Sequence, residues 1–164
     1  MLASALAVFA APRAQGAESW GIEGERAAIV KGKVVDLLCE ISGRCAPDCG
    51  GGTRQLGLID ADGKLLPAAK SNTLFAGAVV DLLPFCGKTV EADALVIESP
   101  RMRLLFVQKL KGPGDKEFKA AEAFGDQWTK KHGKADEWFR KDPDVKTVIA
   151  ADGVFGIKGL EPAK

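Results

Sequence analysis

Apolar residues between positions 29 and 110 alternate with a period of two in several separate runs, and one stretch among them switches to helical spacing. The first run begins at Ile29, with Val35, Leu37, Cys39 and Ile41 on one face and Val34, Asp36, Leu38 and Glu40 on the other. It predicts a strand that continues to Ile41 with Cys39 facing inward. Residues 54–60 form a second extended run, and Asp60-Ala61-Asp62-Gly63 is a hairpin signal leading into Lys64-Leu65-Leu66. Leu74, Phe75, Ala78, Val79, Leu82 and Leu83 then recur at spacings of one, three and four, which predicts a short amphipathic helix stopped at Pro84. Residues 88–98 and 102–110 are extended again and are separated by Ser99-Pro100.

Three strands, a helix and two more strands is the plan of the OB-fold, a five-stranded and partly open barrel. Closing the sheet also removes exposed edges, which suits a short antiparallel meander. The expected fold is therefore mainly β, an OB-like barrel with an inserted helix and a helical C-terminal extension. The expected organisation is a signal peptide over 1–17, the barrel over 18–111 and the extension over 112–164.

Several phrases in this region carry a resemblance. Gly32-Lys33-Val34-Val35-Asp36 ahead of a cysteine, the Cys-x3-Cys pair Cys45 and Cys49, Leu56-Gly57-Leu58-Ile59, Asp62-Gly63-Lys64 and Gly87-Lys88-Thr89-Val90 resemble small exported bacterial OB-fold-like domains that contain cysteines and whose roles are largely uncharacterised. The resemblance spans about half of the chain, and the cysteine cluster is its distinctive part. It implies a fold and an exported setting, and it implies no reaction.

After Gly112-Pro113-Gly114 the pattern changes to helical. Phe118, Ala121, Phe124 and Trp128 fit one helical stripe, and Trp138 and Phe139 extend the apolar content. Asp142-Pro143 reads as an N-cap followed by proline in the first helical turn, opening a helix with Val145, Val148 and Ile149 that should end near Gly153. Trp128, Trp138 and Phe139 at this spacing are expected to pack inward rather than to form a docking patch.

The compartment is read from the first seventeen residues. Leu2 to Ala11 form an apolar core of signal length, and Ala14-Gln15-Gly16 supplies a small-x-small cleavage site, which places the cut near Gly16 or Ala17. No Lys or Arg precedes the apolar core, so the expected start lies upstream of Met1, and Sec and twin-arginine export both stay open. No later run approaches the length needed to span a bilayer. The chain is expected to be periplasmic or otherwise exported, with no transmembrane segment after processing.

Cys39, Cys45, Cys49 and Cys86 are all the cysteines of the chain. An even count in an exported protein of this size reads first as disulfides, here two bridges with three connectivities open. The alternative is a four-thiolate site in which Cys39, Cys45, Cys49 and Cys86 bind zinc or cuprous copper, since soft thiolates favour those metals. A further alternative is a thiol oxidoreductase, although Cys45 and Cys49 lack the Cys-x-x-Cys spacing that such chemistry commonly uses.

Composition narrows the function classes. The 23 Lys and Arg are balanced by 22 Asp and Glu, and removing the signal segment takes Arg13 with it. A neutral processed chain offers no phosphate-binding stripe, and the barrel aromatics are mainly Phe75, Phe85 and Phe106, so no nucleic acid is expected. A single histidine, His132, sits at the basic end of a predicted helix, which leaves no basis for a hydrolytic triad. Gly50-Gly51-Gly52 lacks the strand-to-helix context and lysine of a phosphate loop and reads as a sharp turn. The expectation is a non-enzymatic binding or accessory module without a cofactor, presenting a stapled barrel and a helical tail to a periplasmic or membrane-complex protein.

Overall fold

The computed structural model describes residues 16–157 and 159–160. The expected signal segment therefore lies outside the described residues except for Gly16 and Ala17. Six strands and five helices follow in chain order: β1 (Glu25–Asp36), α1 (Leu37–Ser42), β2 (Leu56–Asp60), β3 (Leu65–Lys70), α2 (Val79–Leu82), β4 (Thr89–Glu98), β5 (Arg103–Lys111), β6 (Lys119–Ala120), α3 (Ala123–His132), α4 (Trp138–Lys141) and α5 (Pro143–Asp152).

The strands are hydrogen-bonded in the order β3-β2-β1-β4-β5-β6, and a parallel pairing of β3 with β5 closes the first five into a barrel. This is the OB-like connectivity expected from the pattern, with α2 between β3 and β4. β1 is long enough to serve two neighbours, pairing with β4 over Glu25–Lys33 and with β2 over Gly32–Asp36. Gly32 lies at the handover. A Cβ there would stand 2.8 Å from the Ile59 carbonyl oxygen and 2.9 Å from Leu58 Cβ. Only a residue without a side chain lets β1 bend this close to β2.

Apolar side chains from every barrel strand fill the interior, among them Val34, Leu58, Leu66, Val90, Val96, Leu105 and Val107, and Leu82 of α2 plugs one end. A smaller cluster lies on the outer face, where Ala17 covers Leu95 and Phe106. β5 is thus buried on both sides. Its pairing with β4 slips between Asp93 and Ala94, so that Asp93 faces Lys109, Ala94 faces Val107, and Gln108 is the extra residue of a bulge.

Three expectations are corrected. β1 stops at Asp36, and Cys39 belongs to α1 rather than to an inward strand face. The reason is a cap: Asp36 Oδ1 accepts the Leu38 amide at 2.9 Å, and Arg54 pairs with its other oxygen at 2.7 Å. The helix expected from Leu74 is confined to Val79–Leu82, with a 3-10 turn over Leu83–Phe85. Phe75 takes a φ of 58°, outside helical geometry, and the Ala76 amide turns back to the Thr73 carbonyl. Finally, the stripe expected from Phe118 becomes helical only at Ala123, because Lys119–Ala120 first adds to β5 and Ala121 enters the core.

Candidate functional site

Two local structures hold the residues that the sequence singles out: the cysteine loop and the aromatic cradle that receives the tail.

In the loop, Cys39 is bonded to Cys45 and Cys49 to Cys86. The first bridge closes α1 against the turn that follows it. The second ties the loop to the segment just after α2, across a sequence separation of 37. Between them Asp48 and Cys49 hold φ of 47° and 52°, and Gly50, Gly51 and Gly52 continue in the same left-handed region. Five successive residues in that conformation make a sharp reversal, as the glycine run predicts, and the buried Cys49 bridge holds it in place. Arg54 joins the two halves by donating to Asp36 Oδ2 at 2.7 Å and to the Arg44 carbonyl at 2.6 Å. Burial raises the Asp36 carboxyl, but Arg54 and the amides of Leu38 and Cys39 outweigh it and hold the group below its ordinary value.

Both pairs are oxidised, so Cys39, Cys45, Cys49 and Cys86 present no thiolate. Among the described residues no group of three or more His, Cys, Asp or Glu side chains is placed to hold a metal ion. Copper or zinc at these cysteines would first require reduction of both bridges. Disulfides with no free thiol are the pattern that an oxidising, exported setting produces. Among the described residues no helix is long and apolar enough to cross a membrane.

The aromatic cradle is built from α3, α4 and the segment that replaces the expected helix. Trp128 is buried; Phe124 lies 4.6 Å and Trp128 6.0 Å from Trp138, centroid to centroid. Phe139 meets Phe75 edge-on at 4.5 Å, and Trp138 Nε1 donates to the Leu74 carbonyl at 2.9 Å. The tail aromatics therefore dock on the barrel, as their spacing predicts. His132 stacks beside Trp128 at 5.0 Å. Asp81 of α2 accepts the Ala123 amide at 2.9 Å and so fixes the start of α3. Burial raises the Asp81 carboxyl more than this bond lowers it.

No protein-family model, curated protein or solved structure matches the chain. The fold and the surface chemistry carry the functional argument.

The docked part ends at α4. α5 starts where the sequence places it, with Asp142 as N-cap, Pro143 in the first turn and Gly153 after its last residue. Beyond the cap, Val145, Val148 and Ile149 are exposed, and so are Val154, Phe155, Ile157 and Leu160. A helix normally buries such a face. Here no described residue covers it.

A feature that no motif announced adjoins the cradle at Leu74 and Phe75. Lys70 Nζ sits 4.6 Å from the Trp20 ring centroid and 4.7 Å from that of Phe106, and it donates to the Ser71 and Thr73 carbonyls. Burial lowers the pKa of this ammonium. A cavity of about 400 Å³ opens beside it, lined by Trp20, Lys70, Leu74 and Phe75 among others. The residues that meet here are up to 86 positions apart in the chain (Trp20 and Phe106), so no local sequence signal marks the place.

Proposed function

We propose that the chain is an exported binding or accessory module, periplasmic in a bacterial envelope, that engages a partner protein through its helical tail. One observation carries this reading: an apolar surface stands uncovered on a helix anchored at its start and on the residues that follow it. Val148 is 57% and Ile157 60% exposed, while the start of α5 is held by Asp142 and, through it, by the buried Trp128. Seven large apolar side chains over residues 145–160 are far denser than the scattered exposed residues of an ordinary surface. A helix of this kind fits an apolar groove on a partner, which reads side chains three and four positions apart. The barrel, stapled through Cys39, Cys45, Cys49 and Cys86, serves as the fixed platform from which the tail projects.

The test replaces Val148 and Ile149 with aspartate and follows the protein in its export compartment. The expected outcome is loss of a co-eluting partner with an unchanged melting temperature, since neither side chain contributes to the core. A wild-type protein that elutes as a lone monomer from that compartment contradicts the reading. Isolation with four free thiols and bound copper or zinc would replace it with a metal-binding function at the cysteines. Turnover of either bridge by a thiol substrate would replace it with oxidoreductase chemistry.

A further inference from the structure

The first described residues are held on the barrel by an unusual concentration of polar contacts. The Ala17 nitrogen donates to Asp93 Oδ1 at 2.7 Å, and both residues are buried. At the next residue, the Glu18 amide donates to Gln108 Oε1 at 2.8 Å while Gln108 Nε2 donates back to the Glu18 carbonyl at 2.6 Å. A carboxamide that grips both backbone groups of one residue acts as a substitute strand, and the bulge at Gln108 is what turns it toward the segment. Trp20 then meets Phe106 edge-on at 4.9 Å, and Glu25 accepts the amides of Trp20, Gly21 and Ile22. Residues 17–22 are clamped at every step.

Asp93 is the part of this clamp that a neutral chain does not explain. Its residue is only 5% exposed, yet the carboxylate faces one backbone amide and has Lys109 Nζ no nearer than 3.9 Å. A buried carboxylate is stable when an opposite charge bonds it directly. The amide it touches follows Ala14-Gln15-Gly16, the small-x-small site, so its nitrogen is the one that cleavage after Gly16 would free. Gly16 itself is exposed and borders a cavity of about 390 Å³ lined also by Glu18, Asn72, Gln108 and Lys109, which leaves room around a freed amine.

We propose that hydrolysis of the Gly16–Ala17 bond makes Ala17 the mature N-terminus, and that Asp93 is the counter-ion built to receive its α-ammonium. One water is consumed by the export peptidase. Its oxygen goes to the Gly16 carbonyl carbon, the C–N bond breaks, and both water protons end on the Ala17 nitrogen, leaving Gly16 as a carboxylate on the removed segment. The new ammonium replaces the neutral donor at Asp93, and the Gln108 grip on Glu18 sets the position at which it arrives. The proposal rests on the export part of the proposed function and is independent of how the tail is used.

The test begins with the chain expressed in an exporting bacterial host, with two lysines added ahead of Leu2 to supply the positive charge that the apolar core lacks, followed by N-terminal sequencing and intact mass. The expected N-terminus is Ala17. An exported, disulfide-bonded chain that begins elsewhere overturns the proposal and leaves export standing; an uncleaved chain with free thiols overturns both. The second step compares the mature chain with one that begins at Gly16, which moves the ammonium one residue away from Asp93. The chain starting at Ala17 should melt higher by roughly 3 °C or more, and Asp93→Asn should abolish the difference. Equal melting of the two wild-type chains overturns the proposal, and that comparison holds even where Asp93→Asn does not fold.

Discussion

Trp128 Nε1 donates to Asp142 Oδ2 at 3.1 Å, and the other oxygen of the same carboxylate accepts the Asp144 and Val145 amides at 2.9 and 3.3 Å. One side chain therefore caps α5 and ties it to the only buried residue of α3. α5 is anchored at its root, and no described residue covers Val145, Val148 and Ile149 along it.

This cap has a defined pH dependence. Burial raises the Asp142 carboxyl, but the two amides, the Trp128 indole and the nearby His132 outweigh it and hold the group below its ordinary value. A lowered folded-state value means that the stabilisation is complete above the usual aspartate value of about 3.9 and is lost as the pH falls through the lowered one. The NMR shift of the Asp142 carboxyl carbon should stay constant down to the ordinary aspartate range and move only below it. Movement centred at or above that range contradicts the assignment.

Asp81 carries the opposite sign. Its Oδ2 is buried without a hydrogen-bond partner among the described residues, and burial raises its carboxyl. Stability from the protonated form is complete below the ordinary aspartate value and is lost as the pH rises through the raised one. Asp81→Asn keeps the acceptor for the Ala123 amide and removes the buried charge. Chemical denaturation should show the variant more stable by roughly 1 to 3 kcal/mol at neutral pH, with the gain disappearing in acid. A loss at neutral pH would mean that the ionised carboxylate has a use in the folded state.

The two disulfides should differ in what they contribute. Restriction of the unfolded chain scales with the loop closed, which gives about 4 kcal/mol for the Cys49–Cys86 separation of 37 residues and about 2 kcal/mol for the Cys39–Cys45 separation of 6. Urea midpoints of the paired serine variants Cys49→Ser with Cys86→Ser and Cys39→Ser with Cys45→Ser should fall in that order. The reverse order would show that the short bridge acts mainly by holding α1 on the barrel.

What was legible in the sequence follows the range of the interactions. The Asp142-Pro143 cap, the Asp60–Gly63 hairpin and the extended runs of β4 and β5 are local, and each stands where the pattern puts it, except that the Gln108 bulge turns Leu110 into the core beside Leu105 and Val107. The order of elements along the chain was legible too, and a helix between the third and fourth strands is what points to the OB plan. α1 was not, since an aspartate in an alternating run becomes a cap only with Arg54, eighteen residues away, to pair its charge. Nor was the early part of the expected helix at Leu74, where the Leu74 carbonyl and the Phe75 ring are claimed by α4 from the far end of the chain. The Ala17–Asp93 and Glu18–Gln108 contacts span 76 and 90 positions, beyond any periodicity. The disulfide pairing was one of three allowed by the count, and only the fold selects among them.

The central claim is that the uncovered tail is a docking surface, and site-specific photocrosslinking tests it most directly. A photoreactive phenylalanine replaces Val148 in one variant and Lys64, exposed beside the Asp60–Gly63 turn, in another; both are irradiated in the intact export compartment. The account predicts one discrete protein adduct from position 148 and none from position 64. No adduct from position 148, or the same adduct from both positions, would contradict it.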